Sequence, residues 1–220
     1  MVKQSKEQVA APQPLAQREK ERVILDAARK RFAHYGYQKV TMEEVADDVG
    51  VVKGALYYYF PTKESLFEAV VRDDRKEFSA SMENMLTSCS SARDMVNTYI
   101  EKRLKFSEQL LNLSQLDSNS WIHFKAHFHK LFTEFDDEEC AYLQRFIARG
   151  VKEKEFTITG AGDAATLFLH VLQGLRIRAL RDYNHLSQKD EANTLLRHET
   201  KLFTKIFLCG IARTSQKENA

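Results

Sequence analysis

Residues 50–67 read GVVKGALYYYFPTKESLF, with a lysine at position 53 and three consecutive tyrosines that close on a proline. A strand rarely opens on Gly54-Ala55 and leaves through Pro61-Thr62-Lys63-Glu64. A short helix does, because Pro61 disfavours the helical conformation of the residue before it. Residues 52–59 therefore read as a helix of about two turns. On it Tyr57, Tyr58 and Tyr59 fan out by about 100° each and cannot share one face. At least one packs inward with Leu56 and Phe60, while the others reach outward.

The flanking sequence supplies the partners of this helix. From Arg22, the residues Val23, Ile24, Ala27, Ala28, Phe32 and Tyr35 recur at helical spacing, and Gly36 gives a left-handed stop. TMEEVADDVG (41–50) opens with Thr41 and Glu44 in capping-box spacing, buries Met42, Val45 and Val49, and ends at Gly50. Thr62 caps a fourth, longer helix through Leu66, Phe67, Val70 and Val71, with Glu64 in its positive first turn. Two short helices about a tight glycine turn have the geometry of a helix-turn-helix, whose second helix enters the major groove of DNA. Lys53, Gly54 and Ala55 offer a cation on a small, close-approaching start, and tyrosine hydroxyls suit the phosphate backbone. Glu43, Glu44, Asp47 and Asp48 read as a solvated acidic face turned away from phosphate.

Composition narrows the class further. In 220 residues there are only 8 Gly and 3 Pro, too few for an all-β chain full of turns, so the expected fold is all-α. No apolar run of about 18 residues is present and residues 1–20 are polar, which predicts a cytoplasmic protein with no membrane partner. Cys89, Cys140 and Cys209 are isolated and odd in number, excluding a C-x-x-C zinc or disulfide pattern. The net charge of +2 says little, but eight basic residues against four acidic ones through Arg31 mark a basic N-terminal end. Residues 1–17, with APQP at 11–14, read as a disordered basic arm. There is no nucleophile elbow, phosphate loop or paired Cys-His motif, so no enzyme and no cofactor are expected.

Beyond residue 86 the helices lengthen. One carries Val96, Ile100, Leu104 and Leu111; an aromatic stretch follows, with Trp121, Phe124, Phe128, Leu131, Phe132 and Phe135 at spacings of three and four. Asp136-Asp137 starts another helix through Tyr142, Leu143, Phe146 and Ile147 to Gly150, and two apolar helices span about 163–182 and 190–212. The rings either form core or wall a cavity for a small apolar or amphipathic ligand. In the second case Trp121, Phe124, Phe128, Phe132, Tyr142 and Phe146 line it, His123, His127, Gln173 and Arg176 are its polar groups, and the arginine can grip a carboxylate. His123 and His127 lie four apart with His129 near, but no acidic or thiol ligand stands at diagnostic spacing, and no metal is expected. Phe168, Val171, Leu172 and Leu175, with Leu195, Leu202, Phe203, Ile206 and Phe207, form stripes suited to a four-helix interface between two copies, or to the subunit's own core.

The spacing of Thr41, Val45, Ala46, Val49, Gly50, Val51, Lys53, Gly54, Leu56, Tyr57, Tyr59, Phe60, Lys63, Glu64 and Leu66 resembles the N-terminal signature of the tetracycline-repressor (TetR) family of transcriptional regulators, over about fifty residues from Arg18 to Phe67. The resemblance implies a helix-turn-helix domain at 18–68 whose fourth helix continues to about 86 as connector. It also implies a helical ligand-binding and dimerisation domain at 87–214, and a homodimeric repressor released from double-stranded operator DNA by its effector. Carried over by position, Thr41 and Lys63 touch phosphates, Lys53 and Gly54 face base edges with Ala55 beside them, and Tyr57, Tyr58 and Tyr59 include phosphate contacts. Val52 departs from the Ser or Thr usual before the lysine, so the third helix lacks a side-chain cap worth about 1 kcal/mol. The rival class is a helical protein-interaction adaptor that never meets DNA; a salt-dependent shift of duplex DNA separates the two.

Overall fold

Gly36 and Gly50 take left-handed backbone, φ 80° and 70°, where a side chain would be strained, and with Pro61 they cut the N-terminal third into short elements. The computed structural model describes residues 15–114, 124–182 and 189–213. In it α1 spans Leu15–Tyr35, α2 Met42–Val49, α3 Lys53–Tyr59 and α4 Lys63–Ser88. Then come α5 (Ala92–Ser114), α6 (His129–Lys152), α7 (Ala161–Asp182) and α8 (Lys189–Ile211). The fold is all-α: among the described residues the only ladder contact is one antiparallel bridge between Phe156 and Ala212. None of these helices is long and apolar enough to cross a membrane.

The caps follow the sequence pattern. Thr41 and Glu44 form the reciprocal capping box of α2, with the Glu44 amide donating to Thr41 Oγ1 at 3.3 Å and the Thr41 amide to Glu44 Oε2 at 2.9 Å. At α4 the box closes between Thr62 and Ser65, so Glu64 is left to accept from the Tyr37 hydroxyl at 2.9 Å. Val52 precedes α3 without any side-chain cap bond.

Three expected boundaries are displaced: α1 begins at Leu15, inside the stretch 1–17 expected as a disordered arm, and the other two lie among the long helices. Helix α6 runs without interruption through Asp136-Asp137 and beyond Gly150 to Lys152, while the break falls at Phe128, between a helical turn at 124–127 and α6. The apolar stripe explains this: Leu131, Phe132, Phe135, Tyr142, Leu143, Phe146 and Ile147 stay on one buried side across the two aspartates. Gly150 is glycine for packing rather than termination. A Cβ there would lie 2.2 Å from the Phe156 ring, which folds back onto it after a left-handed turn at Lys154.

Ile24, Ala28 and Phe32 of α1, Val45 of α2, Leu56 of α3 and Leu66 and Phe67 of α4 are buried together as the core of the short-helix region. Helix α4 leaves that core and runs between α5 and α6. There Arg75, almost fully buried, donates to Glu138 Oε2 (3.2 Å), Glu139 Oε1 (2.8 Å) and the Phe135 carbonyl (3.1 Å), all on α6. Its guanidinium carbon lies 4.3, 5.2 and 4.7 Å from the ring centres of Phe78, Phe106 and Phe135. Glu139 also accepts from Arg103 Nε (2.7 Å) and the Tyr99 hydroxyl (2.6 Å) on α5. Burial raises the Glu139 pKa, but the Arg103 and Arg75 charges and these hydrogen bonds overcome it and hold it at about 2.

Two stability changes are expected. Glu139→Ala strands two buried guanidinium groups and should lower stability by about 3–5 kcal/mol, read as a lower urea midpoint at neutral pH. In the native chain the depressed carboxylate makes its contribution complete above about pH 4.5, and that contribution is lost as pH falls towards 2, which acid titration of the midpoint will follow. Val52→Ser supplies the missing cap and should stabilise by about 0.5–1 kcal/mol, seen as a raised Tm with unchanged helical signal.

Candidate nucleic-acid interface and internal cavity

Helix α3 has seven residues, too few to hold itself. Leu56 and Phe60 anchor it in the core, which leaves the opposite face outward. On that face lie Val52, Lys53, Gly54 and Tyr58, the last with 75% of its surface exposed; Ala55, Tyr57 and Tyr59 are half-buried. Tyr57 and Tyr59 thus share the inward packing, and Tyr58 meets Tyr59 edge-on at 5.5 Å. Among the described residues a Cβ at Gly54 would meet nothing within 4 Å, so the glycine leaves bare backbone on the outward face.

Electrostatics around the helix differ from the simple picture of an acidic back. Lys53 Nζ pairs with the Glu43 carboxylate and lies 5.7 Å from the Tyr57 ring centre, so Glu43 stands beside the lysine rather than away from it. The pair raises the lysine pKa and lowers that of the acid. Arg31 takes Asp48, with Nη2 to Oδ1 at 2.8 Å, and approaches Glu44 at 3.4 Å. Thr41 is exposed but its hydroxyl is engaged in the α2 box. Lys63 donates to the Gln38 carbonyl at 3.3 Å and sits 4.7 Å over the Tyr37 ring. Burial, then the Glu64 bond, pushes the Tyr37 hydroxyl pKa upward.

The described rings expected around a ligand fall in three places. Phe124 and Phe128 turn to the short-helix core, where they stand 5.3 and 5.8 Å from Tyr37 and 5.2 and 5.4 Å from Phe67, centre to centre. Tyr142 and Phe146 are buried side by side on α6, and His127 is exposed. Trp121 and His123 lie outside the described residues. Phe132, Gln173 and Arg176 do come together, on a cavity between α4, α5, α6 and α7. Its interior is about 50 Å³, and its mouth opens the empty space to about 570 Å³.

Beyond the expected lining, the cavity is walled by Arg75, Arg103, Phe106, Ser107, Leu110, Lys125, Phe135, Asp136, Glu139 and Ile177. A signal for the charged ones existed. Arg75 follows Val71 and precedes Phe78, Arg103 follows Tyr99, and Glu139 lies between Phe135 and Tyr142, each charge sitting on a buried stripe. Arg176 Nε and Nη2 are shielded from solvent, and burial followed by the Arg103 charge lowers the Arg176 pKa to about 10. Among the described residues no group of three His, Cys, Asp or Glu is placed to hold a metal ion.

The α7 and α8 stripes also divide. Phe168 and Leu172 belong to the subunit's own core, with Phe168 against Phe203 and Phe207 at 5.2 and 4.6 Å. Val171, Leu175, Leu195, Phe203 and Phe207 are half-buried. Leu202 and Ile206 are exposed and are joined by Leu167 and Ile177, which the sequence reading did not include.

The model for bacterial regulatory proteins of the tetR family matches residues 24–70, the stretch that holds α2, α3 and most of α1. The HTH-type transcriptional repressor Rv1474c of Mycobacterium tuberculosis is 34% identical over 98 residues, covering 41% of this chain and 51% of that protein. The HTH-type transcriptional repressor AcnR of Corynebacterium diphtheriae is 31% identical over 128 residues, 56% of this chain and 62% of its own. The match thus spans about half to three-fifths of these curated relatives. A crystal structure of a transcriptional regulator from Cytophaga hutchinsonii superposes with a TM-score of 0.78 at 34% identity, covering 87% of this chain and 98% of the other. A signature match on the short helices and a likeness that continues through the long ones together assign the chain: it belongs to the tetR family of bacterial transcriptional regulators.

Proposed function

We propose that the chain is a cytoplasmic, homodimeric repressor that binds duplex operator DNA through α3 and is released by a small apolar or amphipathic effector. The observation that carries this reading is the outward face of α3, where Lys53 and Tyr58 flank a Gly54 that no contact among the described residues requires. A bare backbone beside a cation fits close approach to base edges, with hydroxyls at hand for phosphate. In this reading residues 18–68 are the reading head and α4 is its connector to about residue 86. Residues 87–214 take the effector and the second subunit, and Lys3 and Lys6 ahead of α1 add phosphate affinity. Thr41 and Lys63 contact phosphates after giving up local bonds, and Ala55, Tyr57 and Tyr59 contribute at the edge of the footprint.

One reading helix makes few contacts, and paired helices address half-sites about 34–36 Å apart, which is why a dimer is part of the proposal. The exposed apolar residues Leu167 (60%), Ile177, Leu202 and Ile206 (61%) on α7 and α8 are the surface for it. The cavity interior of about 50 Å³ is far below the roughly 300–1,000 Å³ of ligand sites. Effector entry therefore moves helices apart. Because Arg75 of α4 lines the cavity, the displacement reaches the connector and shifts the population away from the DNA-competent head spacing.

Lys53→Ala should weaken specific binding by about 1–3 kcal/mol and relax sequence preference, while Lys63→Ala should weaken all sequences alike and flatten the salt slope. Glu43→Gln frees Lys53 and should tighten binding. Fluorescence anisotropy with DNA from upstream of the chain's own gene, at several salt concentrations, measures all three; unchanged affinity in both lysine variants would remove α3 from the interface. Ile206→Glu places a charge on the proposed dimer face and should turn a dimer into a folded monomer in light scattering, with DNA affinity falling in parallel. A native chain that is monomeric at micromolar concentration contradicts the assembly.

A further inference from the structure

The cavity between α4, α5, α6 and α7 has walls of two kinds. Phe106, Leu110, Phe132 and Ile177 give it apolar surface, and Arg75, Arg103, Arg176 and Lys125 bring four positive charges against the two carboxylates of Asp136 and Glu139. Both carboxylates are already committed. Glu139 accepts from Arg75, Arg103 and Tyr99, and Asp136 faces Lys125 Nζ at 3.7 Å and accepts from the Gln173 side chain. A cationic guest would therefore meet guanidinium groups and find no acid left to pair with, and a neutral guest would gain only the apolar wall. An anionic headgroup on an apolar body satisfies both kinds of wall at once.

We propose that this cavity is a site for a small organic monocarboxylic acid, its carboxylate turned to Arg176 and Lys125 and its apolar body laid against Phe106, Phe132 and Ile177. Arg103 and Arg75, held by Glu139, contribute the positive field behind it. The depressed Arg176 pKa agrees with this placement, because burial and the Arg103 charge work against that guanidinium and a carboxylate beside it relieves both. The proposal deepens the effector reading and rests on it only for the effect on DNA. Binding itself is measured without DNA.

Three probes of one shape decide it: phenylacetate, phenylacetamide and 2-phenylethylammonium, titrated calorimetrically into the full chain. The acid should bind at least about tenfold more tightly than the amide, and the ammonium most weakly. Arg176→Gln should remove most of the acid's advantage, bringing it to within about threefold of the amide. Lys125→Gln, at the solvent-facing rim where folding is not at stake, should lower acid affinity in the same direction and serves if the first variant does not fold. Equal affinity for acid and amide, tightest binding of the ammonium, no acid binding in the folded chain, or an acid affinity indifferent to both variants would each overturn the proposal. Acid binding that leaves the DNA complex intact would uphold the site and overturn only the release reading.

Discussion

A guanidinium group taken out of water is costly unless its nitrogens find acceptors, and the fold is organised around one whose three nitrogens each do. Arg75 sits on α4, the helix that leaves the short-helix core. Its three described acceptors all lie on α6, and the rings that stack on it come from α4, α5 and α6. Glu139 then joins Arg75 to Arg103 and Tyr99 of α5. No one of these three helices can slide without uncovering a buried charge. The direction in which α4 leaves the core is therefore set by the long helices.

The other end of α4 works differently. Helices α2 and α3 are short, and their placement comes from left-handed glycine at 50, the Thr41–Glu44 box and the burial of Val45 and Leu56. Arg29 clamps α1 to α4 through Asp73 and Asp74 at 2.8 and 2.7 Å, a partly buried fork stronger than a solvated pair. Helix α1 also packs directly on α5, so the head is held by a long helix as well as by the start of α4.

Local signals made the head legible in the sequence: glycine stops, a proline and capping residues act within a few positions of where they stand. The same reasoning failed at Asp136-Asp137, where an acidic pair looked like a helix start, because burial of Phe132, Phe135 and Tyr142 along one stripe overrode it. It also failed at Gly150, whose reason is the distant Phe156 ring. The cavity was the least legible part. Phe132, Gln173 and Arg176, expected as ligand contacts, do lie on one cavity, but most of its charges come from Arg75, Arg103, Lys125, Asp136 and Glu139. Four helices bring them together, and no spacing along the chain encodes that. Phe124 and Phe128 have the same helical periodicity as Phe132, yet they face another core, since the chain breaks at Phe128 and turns the stripe.

That break gives the segment around residues 124–132 two faces. Lys125 and Phe132 line the cavity, whereas Phe124 and Phe128 press on Tyr37 and Phe67 within the head, and Tyr37 in turn is bonded to Glu64 at the start of α4. The cavity wall and the head are thus joined through Arg75 along α4 and through a ring cluster beside it, in addition to the packing of α1 on α5. Aromatic contacts of this kind are each worth about 0.5–1.5 kcal/mol beyond area burial and tolerate small sliding, while the buried ion cluster does not. The ion cluster fixes where α4 can lie, and the ring contacts beside it tolerate more sliding than the cluster does. Under the proposed release by an effector, a displacement at Lys125 and Phe132 bears on both links, on α4 through Arg75 and on Tyr37 through Phe124 and Phe128.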